Sequence, residues 1–162
     1  MGGIEVSSYV SADREAVIAL VLGIQQREFG VPITLADQPD LADVPAAYQR
    51  GRGGFWTAKD DGRVVGVIGL LDGGGEVALR KMFVHAAYRG KGLTVASQLL
   101  DALLAHARAK GVKRIFLGTR PEMRAAHRFY EKNGFQSVAT EDLPAGFPRM
   151  GVDSVFFRLD FG

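Results

Sequence analysis

Apolar and polar residues recur along this chain with two different periods, and the change of period marks out the elements. Residues 4–9 read as a short strand. Ser11 is placed to cap a helix over 12–29, along which Val17, Ile18, Leu20, Val21 and Ile24 form an apolar stripe. Pro32, Pro39 and Pro45 then interrupt the chain, leaving space for one short helix over 41–48 with an acidic start. Residues 53–59 and 63–71 predict two strands around a hairpin turn at Asp60, Asp61 and Gly62. Gly73, Gly74 and Gly75 make the next turn, and 76–84 reads as the third strand of an antiparallel meander.

The loop 85–92 leads into a helix whose apolar positions Val95, Ala96, Leu99, Leu100, Leu103, Leu104 and Ala107 follow a 3.6-residue period until Gly111 ends it. A buried strand at 114–118 follows. Pro121 then sits near the start of another helix, which ends at Asn133 and Gly134 in a left-handed cap closed by Phe135. The stretch 141–150 is irregular, and 154–159 is a last strand carrying Val155, Phe156 and Phe157. Strands interleaved with helices predict an α/β fold, and the length of 162 residues suits one domain over 1–162.

Composition narrows the classes without naming one. With 47% hydrophobic and 23% charged residues the chain is an ordinary globular sequence, and its 21 glycines predict many turns. Twenty basic against eighteen acidic residues leave a net charge of +2, too small to predict nucleic acid or an anionic membrane as partner. Cysteine is absent, which excludes disulfides, thiolate metal sites and cysteine nucleophiles. No apolar run approaches the roughly 18 residues of a membrane span, and no basic-then-apolar leader opens the sequence, so a cytoplasmic protein is expected.

The strongest chemical signal is the order strand, glycine-containing basic loop, helix around Arg89, Gly90, Lys91, Gly92, Leu93 and Thr94. The first amides of a helix lack internal partners and point outward at the positive end of its dipole, so phosphate oxygens can accept from them. Gly90 and Gly92 let the main chain come close, and Arg89 and Lys91 add charge. A nucleotide P-loop is excluded because Gly92 is followed by Leu93 rather than by Lys and Ser or Thr. The dinucleotide fingerprint fails for lack of a third glycine.

This loop resembles that of the GNAT superfamily of acyl-CoA-dependent N-acetyltransferases, in which Arg or Gln is followed by two residues, Gly, one residue, and Gly or Ala. Thr94 departs at the last position. A second element, Ala126, His127, Arg128, Phe129, Tyr130, Glu131, Lys132, Asn133, Gly134 and Phe135, is similar to the later helix of that family, so the likeness covers about 56–135. It implies a mixed, mostly antiparallel central sheet with helices on both faces, splaying near Val84 and Phe116 to admit a pantetheine. The main chain of Met82, Phe83 and Val84 would pair with the pantetheine amides, and Arg89, Gly90, Lys91, Gly92, Leu93 and Thr94 would hold the pyrophosphate of acetyl-CoA. Met123 stands where many relatives place a cofactor-binding Asn.

Transfer to an amine, direct and within a ternary complex, benefits from a base, since an amine like that of lysine has a pKa of about 10.4, and from an acid for the departing thiolate. The resemblance gives Tyr130 as that acid and Glu76 as the base, directly or through water. On periodicity alone Tyr130 is a core residue of an apolar stripe, and Glu76 an exposed residue at a strand start. His85 and His127 are weak candidates, His127 being expected to face solvent, and no histidine spacing suits a metal. The acceptor, a small-molecule or peptide amine, would meet residues 29–48 and 141–153. There Asp37, Asp40 and Asp43 are either amine-attracting or turn and helix-start acids, and Trp56, Phe147 and Met150 are candidates for an apolar wall. A non-catalytic acyl-CoA-binding sensor or scaffold is the alternative, motivated by Met123, Thr94 and Ala78, the position where some relatives carry glutamate. Oligomeric state is open, a homodimer included.

Overall fold

The computed structural model describes residues 3–90, 93–145, 147 and 153–161. Seven strands form one sheet: β1 Ile4–Ser8, β2 Gly54–Asp60, β3 Arg63–Asp72, β4 Val77–Val84, β5 Arg114–Thr119, β6 Gln136–Val138 and β7 Val155–Asp160. Their spatial order is β1-β2-β3-β4-β5-β7-β6, and every neighbouring pair is antiparallel except β4 with β5. The predicted meander is β2, β3 and β4. β6 escaped the sequence reading because Gln136 and Ser137 are exposed and leave it no apolar alternation.

Helices cover both faces because the central strands are apolar on both sides. α4, Val95–Ala109, buries Val95, Leu99, Leu100, Leu103 and Ala107 against Ala58, Val65, Ile68 and Leu70. α5, Arg124–Lys132, packs on the same side through Tyr130 and Phe129. It ends as expected, with Gly134 at φ +92° and the Phe135 amide donating to the Tyr130 carbonyl at 3.0 Å. On the opposite face α1, Arg14–Leu22, buries Val17 and Val21 beside α2, Pro39–Ala42, and α3, Val44–Ala47. The helix predicted over 12–29 is in fact three pieces, a 3-10 turn at Ser11–Asp13, α1, and a π-helical stretch at Gly23–Glu28. Apolar spacing cannot distinguish a π turn from an α turn, and such turns gather at functional sites. Among the described residues no helix is long and apolar enough to cross a membrane.

Two irregularities shape the centre of the sheet. Between β2 and β3 the register slips at Ala58/Lys59, so Val65 and Gly66 both turn toward α4. A Cβ on Gly66 would stand 2.9 Å from Leu99 and 3.1 Å from Val95, so glycine there lets the first turns of α4 lie close. Between β3 and β4 the register slips between Val67 and Gly69, opposite Lys81, which takes a left-handed φ of +54°. A non-glycine residue there stores strain of about 1–3 kcal/mol that surrounding contacts must offset.

The far end of β3 is fastened by one carboxylate. Asp72 accepts from the Arg52 guanidinium twice at 3.0 Å, from the Arg52 amide at 2.9 Å and from the Gly74 amide at 2.9 Å. The Arg52 hydrogen bonds, against the opposing effect of burial, hold its carboxyl far below the usual carboxylate range. A depressed native pKa gives stability that is present above the unfolded value of about 3.9 and is lost as pH falls below it. Asp72→Ala should therefore cost about 2 kcal/mol at pH 7. Urea melts at pH 7 and below pH 3 should show the gap between the two proteins closing in acid.

Candidate active site

β4 and β5 hydrogen-bond only briefly. Val77 pairs with Ile115 and Ala78 with Phe116, and beyond those two positions the strands part. The divergence thus begins earlier on β4 than the expected Val84. The bulge at Lys81 bends β4, while β5 runs on beside β7 through Gly118 and Thr119. The fork opens into a cavity of about 190 Å³, lined along β4 by Leu79, Arg80, Lys81, Met82 and Phe83 and on the β5 side by Gly118, Thr119 and Arg120. Met123, Ala126 and Tyr130 close one end, and Gln25 of the π-helical stretch with Val31, Ile33 and Gln38 covers the other.

At the outer end of β4 the chain turns tightly into α4. His85 caps a 3-10 turn at Ala86–Tyr88, its Nδ1 accepting from the Ala87 amide at 3.1 Å. The Tyr88 hydroxyl donates to Asp60. Arg89 donates through Nε to the Val84 carbonyl at 2.7 Å and grips Glu28 with the rest of its guanidinium. That hydrogen-bonded pairing, with burial opposing it, holds the Glu28 carboxyl below its usual range. Gly90 has φ +111°, open only to glycine, and the Leu93 amide donates back to its carbonyl at 3.1 Å. α4 follows, its first internal bond running from Gln98 to Thr94 at 2.9 Å, with no side chain capping its start. The Thr94 hydroxyl instead accepts from the Gln98 side chain at 2.9 Å. It therefore does not cap the first amides of the helix.

Tyr130 is buried at the inner wall, its hydroxyl pointing at the Met82 sulfur at 3.8 Å. Burial first, and the charge of Asp153 second, push this hydroxyl well above the ordinary tyrosine value, so it keeps its proton at neutral pH. Among the described residues, Asp153 is the one carboxylate lining the cavity. It lies against Gly118, where a Cβ would come within 2.5 Å of its Oδ2.

On the β4 wall, Lys81 meets Asp40 at 3.2 Å, and the same carboxylate accepts from the Tyr48 hydroxyl at 2.5 Å. Arg80 also acts on that hydroxyl, lowering its proton affinity. Burial, and then the Asp40 charge, raise the Tyr48 hydroxyl well above its ordinary value. Burial favours the neutral form of Asp40, but the Lys81 charge and the Tyr48 hydrogen bond outweigh it and keep the carboxylate ionised. These contacts tie the strained turn of β4 to α2.

The acetyltransferase (GNAT) family matches residues 19–135. The chain belongs to that family. An acetyltransferase of the GNAT family from Staphylococcus aureus Mu50 superposes with a TM-score of 0.90 at 34% identity, covering 98% of this chain and 99% of that one. The N-acetylaspartate synthetase of Danio rerio is 35% identical over 128 residues, 75% of this chain, so the chain spans only 44% of that relative's length. A PaiA N-acetyltransferase from Thermoplasma acidophilum, solved in complex with coenzyme A, shares the fold at 17% identity with a TM-score of 0.72, covering 98% and 99%.

Within this GNAT fold the structure brings Met82, Phe83 and Tyr130 to the lining of one cavity, and α4 starts beyond the turn that follows β4. Val84, Arg89, Gly90, Leu93 and Thr94 continue from it, while Lys91 and Gly92 lie outside the described residues. Glu76 is not brought to the cavity: it sits before the paired end of β4, its carboxylate 3.9 Å from Arg114. Trp56 is a core residue set edge-on against the His106 ring, on the α4 side of the sheet, rather than part of an acceptor wall. Phe147 does line the cavity, and Met150 lies outside the described residues. Asp37 and Asp43 are turn acids, bonded to Thr34 and to the Ala46 amide, whereas Asp40 is engaged by Lys81 and Tyr48. His127 is half-buried, its Nε2 3.0 Å from the Arg120 carbonyl, rather than facing solvent.

The sequence reading missed Asp153 and the Lys81–Asp40 pair. Asp153 falls in an irregular stretch with no periodic signal, and Lys81 meets a residue 41 positions away whose acidity alone was visible. Gly90→Ala should weaken coenzyme A binding about tenfold, because a Cβ at that φ strains the loop by roughly 1–3 kcal/mol. Calorimetric titration with coenzyme A checks this, with unfolding of the free protein as the control.

Proposed function

We propose that the chain transfers the acetyl group of acetyl-CoA to an amine, by direct attack in a ternary complex. The observation that carries this reading is the parting of β4 from β5 beside the uncapped start of α4, with a buried, protonated Tyr130 at the fork. The inward edge of β4 offers main-chain groups of Met82, Phe83 and Val84 that need partners, and the amides of a pantetheine arm supply them as another strand would. The pyrophosphate then falls at Arg89, Gly90, Lys91, Gly92, Leu93 and Thr94, where loop amides and the dipole of α4 favour an anion.

The acceptor nitrogen, once neutral, attacks the thioester carbonyl carbon. A nitrogen–carbon bond forms, the carbon–sulfur bond breaks, and the sulfur leaves as a thiolate. Tyr130 gives its proton to that sulfur and is reprotonated from solvent, so the products are an amide and free coenzyme A. Burial keeps Tyr130 protonated, so the proton is present to be given, and the negative charge that develops on the sulfur draws it across. Asp153, which lines the cavity as Glu76 does not, takes the proton from the amine, directly or through water.

Tyr130→Phe should lower kcat about a hundredfold and leave the affinity for acetyl-CoA unchanged. Release of coenzyme A thiol, followed against a mixed amine library, measures the first, and calorimetry the second. Equal turnover would remove Tyr130 from the reaction. Coenzyme A binding with no thiol release from any amine would favour a sensor instead.

A further inference from the structure

We propose that Phe147 sets the length of the acyl chain: its ring stops the closed end of the fork, so the site takes acetyl and refuses longer straight-chain acyl groups. This rests on the reading of the fork as an acyl-transfer site. The fork closes where Ala78 pairs with Phe116, and at that end Ala78, Phe116, Phe147 and Phe156 form an apolar cluster apart from the two larger cores. The Phe147 ring lies tilted against Phe116, centroids 5.8 Å apart, and edge-on to Phe156 at 6.0 Å. Its amide donates to the Pro144 carbonyl at 3.0 Å. Of these three phenylalanines, Phe147 is the one that lines the cavity.

A donor that lies along Val84, Phe83 and Met82 brings its sulfur to Tyr130, whose hydroxyl stands against the Met82 sulfur. Its acyl group then extends past Met82 toward the closed end, where Leu79, Ala78 and Phe147 present carbon. Ala78 contributes only a methyl group there, so the bulk at the end of the fork is the Phe147 ring, backed by Phe116 and Phe156. The acceptor amine comes from the side of Gln25 and Gln38 and leaves the closed end to the donor. In an open apolar slot the two further methylenes of a butyryl chain would tighten binding about fifteenfold. Against a packed ring they cannot enter unless side chains shift, and the gain becomes a penalty.

The test is thiol release from acetyl-CoA, propionyl-CoA and butyryl-CoA with a mixed amine library, in the wild type, Phe147→Leu and Phe147→Ala. In the wild type kcat/KM should favour acetyl over butyryl by at least about tenfold, the scale of forcing methylenes into a filled site. Phe147→Ala should bring that ratio to one or below, with Phe147→Leu between the two. Each ratio compares two donors on one preparation, so protein lost to misfolding cancels from it, and Phe147→Leu carries the comparison if Phe147→Ala does not fold. A wild type that uses butyryl-CoA as well as acetyl-CoA, or a ratio that both substitutions leave unchanged, overturns the inference. If no amine releases thiol, acyl transfer itself fails, and calorimetry of acetyl-CoA and butyryl-CoA decides separately. Phe147→Ala should then tighten butyryl-CoA about tenfold relative to acetyl-CoA. An equal shift for both thioesters, or no binding of either, removes the ring from this role.

Discussion

Every buried backbone amide and carbonyl must find a partner, and two strands at the centre of this sheet stop being partners after two residue pairs. β4 keeps β3 on one side and β5 keeps β7, but beyond those two pairs their facing edges do not pair with each other. The rest of the architecture follows from holding that gap open without unravelling the sheet. α4 and α5 on one face, and α1 with its short successors on the other, bury both sides of strands that no longer support each other.

The gap is held by strain matched to contacts. Lys81 adopts a backbone conformation that favours glycine, and its side chain is committed to Asp40, itself bonded to the buried Tyr48. Breaking one member of such a network leaves a charge without compensation in a dry setting. That cost ties the bend in β4 to the helices of the opposite layer.

Much of this was legible from periodicity. The meander, the stripe along α4 and the glycine that closes α5 are local signals, each written within a few consecutive residues, and the structure has them close to where they were read. The turn at Gly90 was legible for a different reason, because its φ of +111° is open only to glycine. What escaped depends on distant pairs or on backbone detail. The three residues of β6 are mostly exposed, the π-helical stretch has the same apolar spacing as an α-helix, and the engagement of Asp40 by Lys81 follows from topology. Glu76 shows the converse error: spacing along a strand suggested reach, but the strand's paired end holds it beside Arg114.

The bridge between Arg89 and Glu28 joins positions 61 residues apart, one on the turn into α4 and the other at the end of the π-helical stretch that covers the cavity. An anion that recruits Arg89 must displace a carboxylate already in place, so its arrival is an exchange of one negative partner for another. The attraction of this turn is then weaker than its basic residues suggest. Glu28 belongs to the same π-helical stretch as Gln25, which lines the cavity, so this one bridge fastens the turn into α4 to the cover of the fork.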